Sequence, residues 1–156
     1  MEDKFSLNAH NKDEFPPAHT AEHLLNQTMI RMFGCERSTN AHVERKKSKI
    51  SYILNHKPSR HEEKEIEKRM NELIEEDLPV TYEFVSRNNV PAGISLERLP
   101  DDASETLRLV CIGDYDVCPC IGKHVRSTSQ IGRFELLGTN WDEEKHSFRI
   151  RFKVVQ

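Results

Sequence analysis

Residues 147–155, SFRIRFKVV, alternate without a break: Phe148, Ile150, Phe152 and Val154 fall on one side, Arg149, Arg151 and Lys153 on the other. Such a strand buries one face and wets the other, which antiparallel sheets permit. The chain must therefore provide a half-buried sheet and something apolar to cover it. Two segments have the right form for covers. Pro16-Pro17 precede a helical stretch from about Ala18 to Phe33, with Leu25, Met29, Met32 and Phe33 as its core stripe and Gly34 placed to end it. Pro58-Ser59 open a second helix running to about Asp77, whose apolar face is Ile66, Met70, Leu73 and Ile74.

Further strands are expected at VTYEFVS, GISLERL and TLRLVCI, and GTNWDEEK reads as a connection between strands. STNAHVE and KISYIL, joined by RKKS, read as a β-hairpin with a basic tip. A chain of 156 residues carries one real core and too little for two. The predicted fold is α+β: a single domain over 1–156, its core about 17–154, with a mostly antiparallel β-sheet and two main helices packed on it.

Charge narrows the choice of partners. Formal net charge is −3, so attraction to nucleic acid has to come from local patches. Between Arg37 and Arg60 lie seven basic residues and one acid, Glu44. Arg45, Lys46, Lys47 and Lys49 crowd the hairpin tip, and phosphate contacts there would hold an RNA in register without reading its sequence. An ordinary solvated turn is the alternative. No stretch is long and apolar enough for a membrane span. The first residues lack a secretory layout, so the cytoplasm is the expected location. Four cysteines (Cys35, Cys111, Cys118, Cys120) in such a chain suggest metal or reactivity rather than disulfides.

The chemistry concentrates in two short motifs. AHTAEHLLNQ, residues 18–27, holds His19 and His23 four apart, on one face of a helix. DYDVCPCIGKHV, residues 114–125, holds Cys120 and His124 at the same spacing. Together they form H-x₃-H…C-x₃-H, three imidazoles and one thiolate, which are donors suited to tetrahedral Zn²⁺. Cys118 is a competing sulfur in the C-P-C run. H-T-A-E-H also fits the inverted zinc-peptidase motif, in which Glu22 would be the general base. That chemistry needs an open zinc position and a peptide cleft, for which this chain is small.

HTAEHLL and CIGKHVRSTSQIG resemble the two motifs of the second additional domain of alanyl- and threonyl-tRNA synthetases, the second usually written C-G-G-T-H-V and followed by T-G-E-I-G. FGCERSTNAHVE and EIEKRMNELIEEDLPV between them share the family's look, so the resemblance runs from about Pro17 to Val154. Too short for a synthetase body, the chain resembles the free-standing AlaX-type trans-editing proteins. These hydrolyse mischarged tRNA, notably alanine tRNA carrying serine or glycine. The resemblance puts the metal ligands at His19, His23, Cys120 and His124. It places Ser38, or its neighbour Thr39, near a threonine that senses the substrate's hydroxyl. It also brings the loop residues Gly122 and Lys123 to the substrate.

This chain departs from the pattern at Ile121, where Gly is usual, at Lys123, where Thr is usual, and at TSQIG. The implied reaction is hydrolysis of the ester joining an amino acid to the terminal ribose of tRNA. Zinc lowers the pKa of a bound water to about 7, yet four protein ligands close the tetrahedron. A catalytic, a substrate-anchoring and a structural zinc all remain open at this point. So do threonyl-type editing without metal and a non-catalytic tRNA- or zinc-binding module.

Overall fold

The computed structural model describes residues 15–86 and 106–156. In chain order the elements are α1 (Pro16–Phe33), β1 (Asn40–His42), β2 (Ser48–Ile53), α2 (Arg60–Glu75), β3 (Val80–Ser86), β4 (Thr106–Ile112), β5 (Asp116–Pro119), a 3₁₀ turn (Thr128–Ile131), β6 (Arg133–Asp142) and β7 (Ser147–Val155). GISLERL, residues 93–99, lies outside the described residues. The architecture is α+β, with every strand pair antiparallel and the strands shared between two sheets, β1-β2-β7-β6 and β3-β4-β5.

β7 behaves as its alternation demands: Phe148, Ile150 and Phe152 are almost fully buried, opposite Tyr52, Ile50 and Ser48 of β2. Phe134 of β6 stacks on Phe152 with centroids 5.1 Å apart. β6 extends through Trp141 to Asp142, so the first five residues of GTNWDEEK are strand and only its last three belong to the turn. A bulge at Leu137 shifts the register between Leu136 and Gly138. Phe134 and Leu136 pair with Val154 and Phe152 before it, Thr139 and Trp141 with Ile150 and Phe148 after it.

α2 starts on a capping box, in which Ser59 Oγ accepts from the Glu62 amide and the Glu62 carboxylate accepts from the Ser59 amide. Its buried residues are the predicted Ile66, Met70, Leu73 and Ile74. Its polar flank covers the β6 edge. Asn71 exchanges two hydrogen bonds with the Phe134 backbone, and Glu67 accepts from the Leu136 amide. Those bonds satisfy edge groups that would otherwise invite another strand.

α1 is the central element, buried on nearly every side between β7, β5, α2 and the 3₁₀ turn. The loop after the second motif is stitched to the end of α2. Val80 donates to the Arg126 carbonyl, and the Thr128 hydroxyl accepts from Leu78 while donating to the Leu73 carbonyl. Gly132 closes this stretch at φ +93°, where a Cβ would stand 2.1 Å from the Val155 carbonyl oxygen. Both the backbone conformation and the contact exclude a side chain. Gly132→Ala is expected to cost more than about 2 kcal/mol of stability, read as a lower denaturation midpoint in urea.

Candidate metal centre

The centre forms because a helix and a loop about a hundred residues apart in sequence meet across the core. α1 carries His19 and His23 one turn apart, both buried. Beyond β5, the loop of residues 120–127 carries Cys120 and His124 against that face. Each of the four residues offers one donor atom, and these atoms all lie within 4.8 Å of one another. The His19 and His124 rings stack at 4.3 Å, and His23 stands edge-on to both.

His19 and His124 converge with their outer ring nitrogens already engaged. His19 Nδ1 donates to the Lys123 carbonyl at 3.2 Å, which directs its bare Nε2 to Cys120 Sγ, 3.6 Å away. Zinc with ordinary nitrogen and sulfur bond lengths in a tetrahedron sets that N···S edge at about 3.6 Å. His124 Nδ1 is 3.0 Å from Thr20 Oγ1, which also accepts from the Val125 amide. The Gly122 amide donates to Cys120 Sγ at 3.4 Å, a bond suited to a thiolate. The donor set and its spacing fit zinc.

Behind His23 lies a buried charge pair. Nδ1 of His23 is 3.9 Å from Oδ2 of Asp116, whose side chain is fully buried. Arg37 donates to both Asp116 oxygens, at 2.7 and 3.0 Å, and Gln27 donates to Oδ1 at 2.9 Å. Burial alone would lower the Arg37 pKa, but its hydrogen bond to Asp116 and the attraction of that charge lift it above its ordinary value. A fixed carboxylate here favours an imidazole that keeps a proton on Nδ1 and offers Nε2. Next to this pair, Tyr52 donates to Asn26 Oδ1 at 2.8 Å, and burial pushes its phenol well above the usual range.

Arg108 organises the loop. Its guanidinium donates to the Cys120 and Gly122 carbonyls, while its own carbonyl accepts from the Cys120 amide. Glu22 Oε1 lies 3.9 Å from His19 Nε2, with 12% of its side chain exposed. Lys123 is exposed and Gly122 buried. Ser38 is buried beneath the hairpin, where its hydroxyl donates to the Ser51 carbonyl at 2.6 Å and accepts from the Asn40 amide. Thr39 is exposed, as are Arg45, Lys46, Lys47 and Lys49 at the hairpin tip. Cys118 stays out of the cluster, its thiol pointing to the Pro119 carbonyl.

Asp116, Thr20 and Arg108 drew no attention in the sequence, and Arg37 only as one of the basic residues before Arg60. Asp116, Cys118 and Cys120 are spaced two apart, so they share a face once DVCP is known to be a strand. That spacing was the available signal.

Residues 107–151 match the model for the threonyl and alanyl tRNA synthetase second additional domain. Over 139 residues, 87% of this chain, 34% are identical to the alanine–tRNA ligase of Methanococcus vannielii, covering 16% of that protein. Over 134 residues, 86% of this chain, 30% are identical to the alanyl-tRNA editing protein AlaX-L of Pyrococcus horikoshii, covering 32% of it. Residues 107–151 thus carry a stretch of the second-additional-domain family, and most of the chain is similar to its alanyl-tRNA relatives. The chain spans less than a third of the length of either curated relative. Within the family's region, the match takes in β4, β5, the Cys120–His124 loop, β6 and half of β7.

Proposed function

We propose that this protein hydrolyses mischarged aminoacyl-tRNA, with zinc held by His19, His23, Cys120 and His124, and that it works in the cytoplasm as one free-standing domain. The observation that carries the reading is the three-imidazole, one-thiolate cluster, lodged between α1 and the Cys120 loop in a chain that carries a stretch of this family. Its relatives, an alanine–tRNA ligase and an alanyl-tRNA editing protein, favour tRNA of alanine identity, and serine or glycine is the misplaced amino acid that we propose. A pocket shaped for a methyl group discriminates against one fewer carbon by only about 1–3 kcal/mol, so a second, hydrolytic sieve is needed.

When bound, zinc supplies a Lewis acid at the ester or the substrate's amino group. The protein's own groups do the rest. Glu22, at the rim of the cluster, takes a proton from the attacking water or holds the substrate ammonium. Gly122 and Lys123 border the reacting end, with Lys123 near the terminal phosphate. Arg45, Lys46, Lys47 and Lys49 meet acceptor-stem phosphates. Ser38 commits its proton to the Ser51 carbonyl, which favours the exposed Thr39 as the group that meets a substrate hydroxyl.

The test is deacylation of seryl-tRNA of alanine identity beside alanyl-tRNA and seryl-tRNA of threonine identity. The first is cleaved and the second largely spared. Once bound substrate covers Thr39, a hydroxyl left unpaired there costs about 1–3 kcal/mol, so Thr39→Val shrinks the serine-over-alanine ratio by up to about ten- to a hundred-fold. Zinc content by elemental analysis stays the same, since Thr39 is no ligand. Cleavage only of the threonine-identity substrate would refute the alanine reading. A second reading has one observation in its favour: four protein donors close a tetrahedral zinc, as in a module that binds RNA without hydrolysis. Zinc-loaded protein that turns over none of the three substrates would establish it.

A further inference from the structure

The three-stranded sheet carries an unused aromatic surface on the same face as the metal centre. Register fixes this. Tyr82 pairs with Val110 and Phe84 with Arg108, while Val110 pairs with Cys118 on the other side. Residues opposite one another, and residues two apart, share a face of a sheet. Tyr82, Phe84, Arg108, Cys118 and Cys120 therefore all project from the face that meets α1. The row holding Phe84 is two inter-strand spacings, ~10 Å, from the row holding Cys120.

Phe84 is 70% exposed and Tyr82 40% exposed, the first being the most exposed large apolar residue among those described. The Arg108 guanidinium lies 4.6 Å from the centroid of the Tyr82 ring while its hydrogens hold the Cys120 and Gly122 carbonyls. One side chain thus joins the aromatic rings to the loop that carries the ligands. The cations on this side are Arg108 and the exposed Lys123 and Arg126 of the loop that is hydrogen-bonded to the start of β3, against one carboxylate at the rim of the metal centre, Glu22. Asp116 shares the face, but it is buried and neutralised by Arg37. Glu83 projects from the opposite face by alternation.

We propose that Tyr82 and Phe84, braced by Arg108, form a stacking platform for the unpaired bases at the 3′ end of an RNA whose terminal ester lies at the metal centre. Exposed rings beside cations suit single-stranded nucleic acid, because every base has a π-face and every linkage a negative charge. The separation of ~10 Å, two strand spacings, matches the reach from an ester across its ribose to nearby bases. The platform rests on the reading of the substrate as aminoacyl-tRNA and adds to it where the bases go.

The experiment is equilibrium binding of a 5′-labelled single-stranded oligoribonucleotide ending in CCA, followed by fluorescence anisotropy with the full chain. Phe84→Ala and Tyr82→Ala each weaken binding about ten-fold or more, whereas Phe84→Trp, which keeps a π-face, retains it. Ile53→Ala, an equally exposed apolar residue on the other sheet, leaves affinity unchanged. Unchanged affinity in Phe84→Ala overturns the platform. So does a fall in solution mass caused by that substitution, which would assign the face to a second copy of the chain. Hydrolysis by the unaltered protein is scored separately. Its absence with stacking intact refutes the hydrolase reading alone, and its presence with Phe84→Ala binding normally refutes the platform alone.

Discussion

Cys120→Ala is expected to empty the metal centre and to abolish ester hydrolysis. Cys120 supplies the only sulfur and the only formal negative charge among the four donors. Losing an outer hydrogen bond to a ligand costs about 10–100-fold in metal affinity. Losing a ligand outright, a thiolate above all, exceeds that. Chelator competition reads the affinity, and elemental analysis reads a fall from about one zinc per chain. Cys118→Ala and Cys35→Ala leave both zinc and activity in place. Cys118 is outside the cluster. Cys35 is half-buried against the core, and burial raises its thiol above the ordinary value, so it stays a neutral packing group. Equal zinc loss at Cys118 and Cys120 would mean that the other sulfur of the C-P-C run is the ligand.

The second large effect is expected at Asp116, which touches no substrate. Asp116→Ala leaves the Arg37 guanidinium mostly buried without its anion, and breaking such a pair costs about 3–5 kcal/mol. The same change removes the charge behind His23, so zinc affinity falls about 10–100-fold. Denaturant unfolding in the presence of chelator isolates the first effect, and zinc competition on folded protein isolates the second. Arg37→Met in the Asp116→Ala background recovers much of the stability, because no unpaired charge remains. It does not recover zinc affinity, because the carboxylate is still missing. Full recovery of both would make Asp116 a purely structural anchor.

The fold was legible wherever a single periodicity runs unbroken. Both helices, the hairpin, β3, β4 and β7 form where their patterns lie, and the buried face of α2 is the expected quartet. α1, by contrast, buries Leu24 beside Leu25 and Met29 and leaves Met32 and Phe33 half-buried. β6 was not legible, and the reason is its bulge. One extra residue at Leu137 moves the inward positions from Phe134 and Leu136 to Thr139 and Trp141, so no alternation spans the strand. β5 escaped for a related reason: four residues ending in Pro119 are too few to show a period.

At the candidate centre, sequence alone nominated the four side chains that the fold brings together. A spacing of four on a helix puts His19 and His23 on one face wherever that helix packs, and imidazole and thiolate are donors that suit zinc. What sequence could not determine was whether the two pairs meet, because a separation of about a hundred residues is closed by packing and not by local geometry. Tertiary structure decided that meeting. It also placed Asp116 and Arg37 behind His23 and Arg108 across the loop carbonyls, and it turned the Ser38 hydroxyl inward to Ser51. Local spacing records which atoms are available. Burial and strand register, set by the whole core, decide which of them face one another.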